Sequence, residues 1–247
     1  MSRLDRFVSD VATGDRVFRV FDSRFADPTP RVFLHGNSSR WQDWLPQAEH
    51  FRQHHRVIAF DHVGFGASSP MPEGYSMLQQ YADAKALLRV LGVERCHVVG
   101  MSMGAAGAQL FGLHGELAVS LVLAASMRYD RVHPAAVARW REIREKARRQ
   151  PVPDRETYAS MVFGAAFRNA HPELIDQGFA EVMKTDFSAT AALMSRESLA
   201  GLGRLPVSNI RVPCLVISGV EDYQMPPETS HDLHEALANS RWCPIEN

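Results

Sequence analysis

The stretch Val98-Val99-Gly100-Met101-Ser102-Met103-Gly104-Ala105 decides the fold prediction, because an apolar run passes directly into a Gly-x-Ser-x-Gly pentapeptide. Small residues follow the pentapeptide, so the stretch predicts a strand, a tight turn and a helix. A serine on such a turn is held in a strained backbone conformation, and the flanking glycines avoid clashes with the neighbouring strand and helix. The helix N-terminus then favours negative charge developing at the serine oxygen. We therefore predict that Ser102 is a nucleophile.

Short apolar runs rich in β-branched residues recur along the chain and predict the other strands. These runs lie at residues 31–35, 56–60, 96–99, 119–124 and 214–218. Helix-length stretches alternate with them, at about 41–53, 76–91, 103–114 and 228–238. This alternation predicts an α/β fold with a mostly parallel sheet whose strands are buried on both faces. Residues 6–11 and 16–21 flank a Thr-Gly-Asp turn and predict an antiparallel hairpin at the edge of the sheet.

The middle of the chain has a different pattern. From about residue 128 to residue 209 no strand signal occurs, and helix-forming residues dominate between prolines. We therefore predict a core formed by residues 1–127 and 210–247, with residues 128–209 inserted as a helical cap. A length of 247 residues suits one α/β domain of this kind.

The composition of the chain indicates which classes of partner can be expected. The chain is 45% hydrophobic and 22% charged with a net charge of −1, which gives no basis for a nucleic-acid partner. It has neither an apolar run long enough for a membrane span nor a secretory signal, so we expect a cytoplasmic protein without a membrane partner. The three cysteines, Cys96, Cys214 and Cys243, are expected to be small buried residues rather than a disulfide framework. The sequence carries no signal for an oligomeric state.

Two backbone amides are candidates for stabilising an oxyanion next to Ser102. The first is the N–H of Met103, which immediately follows the nucleophile. The second is expected to be the N–H of Asn37, in the turn Leu34-His35-Gly36-Asn37-Ser38 at the end of an earlier strand. The other interpretation of the turn is an ordinary loop between a strand and a helix.

Together these segments resemble the α/β-hydrolase family, in particular its compact bacterial esterases, enol-lactonases and carbon–carbon hydrolases. The resemblance covers nearly the whole chain and rests on the Ser102 turn and on three further segments: His35-Gly36-Asn37, Asp61-His62-Val63-Gly64-Phe65-Gly66-Ala67-Ser68 and Gly219-Val220-Glu221-Asp222-Tyr223-Gln224-Met225-Pro226-Pro227. It implies that Asp222 is the acid of a catalytic triad, with Glu221 as the neighbouring alternative. Asp61 is a weaker alternative, because the family uses this position structurally.

The resemblance also implies a histidine as general base, placed after one more strand. Residues 241–247 resemble that strand, and in the family a Gly-His pair follows it. We therefore expect that the triad histidine is not present in the printed sequence, and that the natural protein continues with this pair and a closing helix. His231 and His234 are poor substitutes, because their helix is expected to pack away from Ser102. Their spacing would also fit a metal pair, but a solvated helix face is the more ordinary interpretation.

The expected activity is that of a serine hydrolase acting by acyl transfer on a small ester, lactone, thioester or related carbonyl compound, which needs no metal or organic cofactor. A serine nucleophile argues against dehalogenase or epoxide-hydrolase chemistry, for which relatives use an aspartate. Two alternatives stay open: a ligand-binding protein without catalysis, and a cofactor-free perhydrolase that uses the same serine. Several cap residues are candidates either for lining an apolar pocket or for simple packing: Trp140, Met161, Phe163, Phe167, Met183, Phe187 and Met194.

Overall fold

An eight-stranded sheet forms the centre of the molecule in the computed structural model, which describes residues 4–150, 152–184, 193, 202–204 and 206–246. The strands lie in the order β1-β2-β4-β3-β5-β6-β7-β8. Strands β3 to β8 are parallel to one another, and β1 and β2 form the predicted antiparallel hairpin at one edge. Their bounds are β1 Val8–Thr13, β2 Arg16–Asp22, β3 Arg31–Leu34, β4 Val57–Phe60, β5 Cys96–Met101, β6 Ala118–Ala124, β7 Cys214–Gly219 and β8 Ser240–Ile245.

Eight α-helices lie within the described residues. Their bounds are α1 Leu45–Phe51, α2 Met77–Val90, α3 Met103–His114, α4 Pro134–Arg149, α5 Arg155–Val162, α6 Ala165–Ala170, α7 Pro172–Val182 and α8 Pro227–Ala236. Local sequence explains several ends: Ser76 and Gln79 form a capping box at the start of α2, and Asp154 caps α5. Gly115 ends α3 in the left-handed conformation. No helix in the described part of the chain is long and apolar enough to cross a membrane.

Small residues allow α3 to pack closely on the sheet. Ten consecutive residues of α3, from Met103 to Gly112, are buried. A Cβ atom added at Gly112 would lie only 2.7 Å from Cδ1 of Leu121 in β6. The helix therefore contacts β3, β5 and β6 on one face of the sheet. On the other face, α1 and the 3-10 turn Trp41–Trp44 cover β3 and β4.

The prediction that the strands are buried on both faces is wrong for β5, β6 and β7, and the neighbouring β8 is also open on one face. Alternate residues of β5 and β7 are only half-buried, and in β8 Cys243 and Ile245 are exposed. Within the described ranges, α3 makes the main helix contacts to β5 and β6, and α8 makes those to β7 and β8. Both helices lie on the face opposite α1. The expectation that all three cysteines are buried is therefore correct for Cys96 and Cys214 and wrong for Cys243.

The helices α4 to α7 lie between β6 and β7 in the chain, in the range where the sequence predicts helices and no strands. Residues Phe187 and Met194, two of the candidates for lining a pocket, lie outside the described residues. The boundaries of the core and the cap stay predictions. The described part of residues 128–209 is called the cap.

Candidate active site

Ser102 occupies a strained turn between β5 and α3. Its backbone angles are φ 52° and ψ −115°, a conformation that residues with a side chain rarely adopt. Its N–H donates to the carbonyl of Ala124 at the end of β6 at 2.9 Å, which fixes the turn against the neighbouring strand. A Cβ atom at Gly100 would lie 2.7 Å from the nitrogen of Ala105, so no larger residue fits before the serine. The turn therefore has the geometry that the Gly-x-Ser-x-Gly pattern predicts.

The start of α3 also lies directly against the end of β3. A Cβ atom at Gly104 would lie 2.6 Å from the carbonyl carbon of Leu34 and 2.7 Å from the carbonyl oxygen of His35. Only glycine permits this approach of the two backbones. The turn after β3 and the Ser102 turn are therefore neighbours, although they are far apart in sequence.

The two candidate oxyanion donors flank Ser102. A Cβ atom at Gly36 would lie 3.6 Å from Cβ of Ser102, which places the Gly36-Asn37 peptide beside the nucleophile. Met103 is the first residue of α3, and the Ser102 carbonyl accepts the amides of Ala105 and Ala106 at 2.9 and 3.1 Å. The amide of Met103 precedes these and, as at the start of any helix, has no acceptor within the helix. The use of Asn37 and Met103 as oxyanion donors stays a prediction.

His35 fixes the turn that carries Gly36 and Asn37. Its Nε2 accepts the N–H of His62 at 3.0 Å, so the ring proton sits on Nδ1 and donates to the carbonyl of Gly36 at 2.7 Å. Burial lowers the pKa of His35 to about 4, which keeps the ring neutral at physiological pH. His35 is therefore a structural support for the turn and has no free nitrogen for proton transfer.

Asp222 lies just after β7, on the same edge of the sheet as Ser102. Its Oδ1 accepts the amides of Gln224 and Met225 at 3.0 and 2.8 Å, which orients the carboxyl group. The other oxygen, Oδ2, accepts no hydrogen bond from the described residues. Burial raises the pKa of Asp222, and the two amide hydrogen bonds counteract part of this effect. An oriented, half-buried carboxyl group with a free oxygen suits the acid of a triad.

The two alternative acids are held elsewhere. Glu221 is exposed, and its Oε2 accepts the N–H of Ala165 in the cap at 2.8 Å. Asp61 is buried, and its two carboxylate oxygens accept the amides of Trp41 and Ala67 at 2.8 and 2.9 Å. Asp61 therefore joins two loops, which is the structural role that the resemblance implies for it.

All eleven histidines lie in described residues, and none forms a hydrogen bond with Ser102 or Asp222. His231 packs edge-on against Trp242 of β8, and His234 bonds through Nδ1 to Ser240. Both side chains therefore lie between α8 and β8, away from Ser102 as predicted. Neither belongs to a described group of three metal-ligating side chains.

His62 is the one buried histidine whose environment sequence reasoning missed. Neither ring nitrogen of this fully buried side chain has a hydrogen-bond partner within the described part of the chain. Burial and the nearby His35 ring hold the pKa of His62 well below its ordinary value. The ring is therefore neutral, and no pattern in the sequence signals that it packs against the rings of Phe60 and His35.

A family model for the alpha/beta hydrolase fold matches residues 30–247. The chain belongs to the α/β-hydrolase family. Among curated proteins, this chain is 29% identical over 217 residues to a protein of Pseudomonas savastanoi pv. phaseolicola provisionally named carbamate hydrolase RutD, covering 85% of this chain and 82% of the relative. It is 30% identical over 236 residues to a Mycobacterium tuberculosis protein provisionally named non-heme bromoperoxidase BpoC, covering 87% and 84%.

Solved structures of α/β hydrolases share the whole fold. Est816, described as an N-acyl homoserine lactone degrading enzyme, superposes with a TM-score of 0.79 at 22% identity, covering 96% of this chain and 92% of that one. A hydrolase from Pseudomonas aeruginosa superposes with a TM-score of 0.75 at 26% identity, covering 96% and 89%. The fold class inferred from the sequence is therefore confirmed.

The cap of this α/β hydrolase contacts the core through Trp140 and through charged residues of α4. Trp140 packs against the main hydrophobic core, whereas the side chains of Phe167 and Met183 are 39% and 42% exposed. Helix α4 is rich in arginine, and most of its residues are exposed. However, Arg139 and Lys146 from this helix both contact the ring of Tyr223, next to Asp222. The spacing of α4 alone carries no signal for this contact, because Tyr223 is 77 residues away from Lys146.

Proposed function

We propose that this α/β hydrolase is a serine hydrolase that acts by acyl transfer on a small ester, lactone, thioester or related carbonyl substrate. The observation that supports this most directly is the left-handed backbone of Ser102 at the start of α3, with the Gly36-Asn37 turn beside it. A residue with a side chain is strained in that conformation and persists there only when the surroundings enforce it. The names of the relatives, which include hydrolases of carbamates and lactones, support the same class of reaction.

The proposed chemistry has two steps. Ser102 Oγ attacks the carbonyl carbon of the substrate, its proton passes to a histidine base, and the amides of Asn37 and Met103 stabilise the oxyanion. The leaving group takes the proton as the tetrahedral intermediate collapses to an acyl-serine. Water, deprotonated by the same base, then releases the acid and restores Ser102. Asp222 orients the histidine and stabilises its charged form through the carboxylate oxygen that accepts no described hydrogen bond.

We place the histidine base outside the printed residues. None of the eleven histidines of the sequence forms a hydrogen bond with Ser102 or Asp222 in the described structure, and His35 and His234 use their ring nitrogens elsewhere. The same observation favours one second candidate, a ligand-binding protein without catalysis, because the triad is incomplete among the printed residues. A perhydrolase would use the same acyl-serine and differ only in taking peroxide in place of water.

Labelling with an activated fluorophosphonate, read by mass spectrometry, tests the proposal. Three samples are compared: the printed chain, its Ser102→Ala variant, and the protein purified from its native source at whatever length it occurs. We expect labelling of Ser102 in the native protein, much slower labelling of the printed chain, and none of the variant. Loss of a triad base reduces turnover by about a million-fold in a well-studied protease. A folded native protein that is not labelled would overturn the hydrolase proposal and support ligand binding.

A further inference from the structure

Two side chains near Asp222, those of Glu221 and Gln224, form hydrogen bonds with the facing ends of the helices α6 and α5. Helix α6 begins at Ala165, and its N-cap residue, Gly164, has no side chain to accept the first amides. Glu221 supplies that acceptor at 2.8 Å, and a carboxylate at a helix N-terminus is also favoured by the helix dipole. Helix α5 ends at Val162, and the amide group of Gln224 donates to the carbonyl of Met161 at 3.3 Å.

Tyr223, between these residues, attaches the same loop to a third part of the cap. Its hydroxyl oxygen accepts a hydrogen bond from Nζ of Lys146 at 2.7 Å, and the guanidinium of Arg139 lies 4.2 Å from the ring centroid. The hydrogen bond from Lys146 and the charge of Arg139 lower the pKa of Tyr223. The loop that carries Asp222 is thus attached to α4, α5 and α6 at once.

The segment held in this way contains two of the residues predicted to line the pocket. Met161 lies in the last turn of α5, and Phe163 lies in the short link between α5 and α6, where its ring stacks on Phe167 at 5.3 Å. Both Met161 and Phe163 are half-buried. Since Glu221 and Gln224 hold the two ends of this link, they determine how far Met161 and Phe163 stand from the Asp222 loop.

From this geometry we infer that Glu221 and Gln224 are positioning residues, which hold the Met161–Ala165 link as an apolar wall beside the site and thereby favour substrates with a longer acyl chain. The inference rests on the proposed function, because it assigns the wall to that reaction. Asp222 needs neither side chain for its own orientation, since its carboxyl group is held by backbone amides. A small acyl group would not extend to the wall, so its reaction should be insensitive to both residues.

Hydrogen–deuterium exchange tests the attachment without requiring turnover. In Glu221→Ala the amide of Ala165 loses its acceptor, and we expect peptides covering residues 161–170 to exchange about five-fold faster. Glu221→Gln keeps an acceptor oxygen and should restore most of the protection. Glu228→Ala is the matched control, because Glu228 is an exposed acid near the same loop with no described hydrogen bond to the cap. Unchanged exchange in Glu221→Ala would overturn the inference.

The selectivity is tested in the native protein with two p-nitrophenyl esters, the acetate and the octanoate. For Glu221→Ala we expect KM for the octanoate to rise about five-fold, with kcat and the acetate reaction unchanged within two-fold, and rescue by Glu221→Gln. An equal loss of kcat on both esters would overturn a positioning role and indicate an effect on the chemical step. If the unaltered protein hydrolyses neither ester, the selectivity part of the inference fails. The labelling of Ser102 still decides the proposed function, and the exchange pattern still confirms or overturns the attachment.

Discussion

Replacing Gly104 by alanine should destabilise the protein and separate the two turns that form the candidate site. The added Cβ atom would lie 2.6 Å from the carbonyl carbon of Leu34, and closer still to its oxygen. Restoring an ordinary contact of 3.4 Å would require the backbones of α3 and β3 to part by at least about 0.8 Å. Overpacking of this kind costs about 1–3 kcal/mol, and here the clashing atoms belong to the backbone and cannot rotate away.

Gly107→Ala is the matched control, because it makes the same change one turn later in the same helix. A Cβ atom there would meet Cδ1 of Leu34 at 3.6 Å, an ordinary contact, so the higher helix propensity of alanine should stabilise the protein by about 0.5–1 kcal/mol. Denaturant unfolding should thus separate the two variants by about 1.5–4 kcal/mol, from the sum of these effects. Equal midpoints for Gly104→Ala and Gly107→Ala would refute the argument that α3 and β3 are in close contact.

Further expectations concern Ser102, His35 and Asp61. Ser102→Gly should raise the free energy of unfolding by about 1–2 kcal/mol, because glycine adopts the positive φ of this position without strain. Ser102→Ala should not raise it. Equal denaturation midpoints for the two variants would contradict the claim that the backbone of Ser102 is strained. Because the folded pKa of His35, about 4, lies below its unfolded value of 6.5, the unfolded state binds the proton first. Stability should therefore fall by about 3 kcal/mol as the pH drops from 6.5 to 4, and His35→Gln should lack this part of the loss in pH-dependent unfolding. Asp61→Asn replaces one acceptor of a backbone amide by a donor and should cost about 1–3 kcal/mol in thermal unfolding. If the variant is as stable as the unaltered protein, Asp61 does not join the two loops.

The open face of β5 to β8 shows where reasoning from apolar runs was insufficient. The runs that became β5 and β7 contain consecutive apolar residues, so that side chains on both faces of each strand are apolar. Such runs are typical of strands that are buried on both faces. Whether the second face is covered depends on which helices reach it, and the described α1 and Trp41–Trp44 turn on that face lie mainly against β3 and β4. Exposure of Cys243 follows from this placement rather than from its neighbours in sequence.

The sequence by itself determined the strand–turn–helix unit around Ser102, the leading hairpin and the alternation that makes the sheet parallel. Each of these depends on interactions between residues that are close in the chain, such as turn chemistry, capping and apolar periodicity. Only the tertiary structure decided the contacts around Asp222. Glu221 accepts the first amide of α6, the carboxyl group of Asp222 is oriented by backbone amides of its own loop, and Tyr223 contacts α4. The Glu221 and Lys146 contacts join residues 56 and 77 positions apart. Contacts over such separations depend on how whole elements pack, and no local pattern encodes that packing.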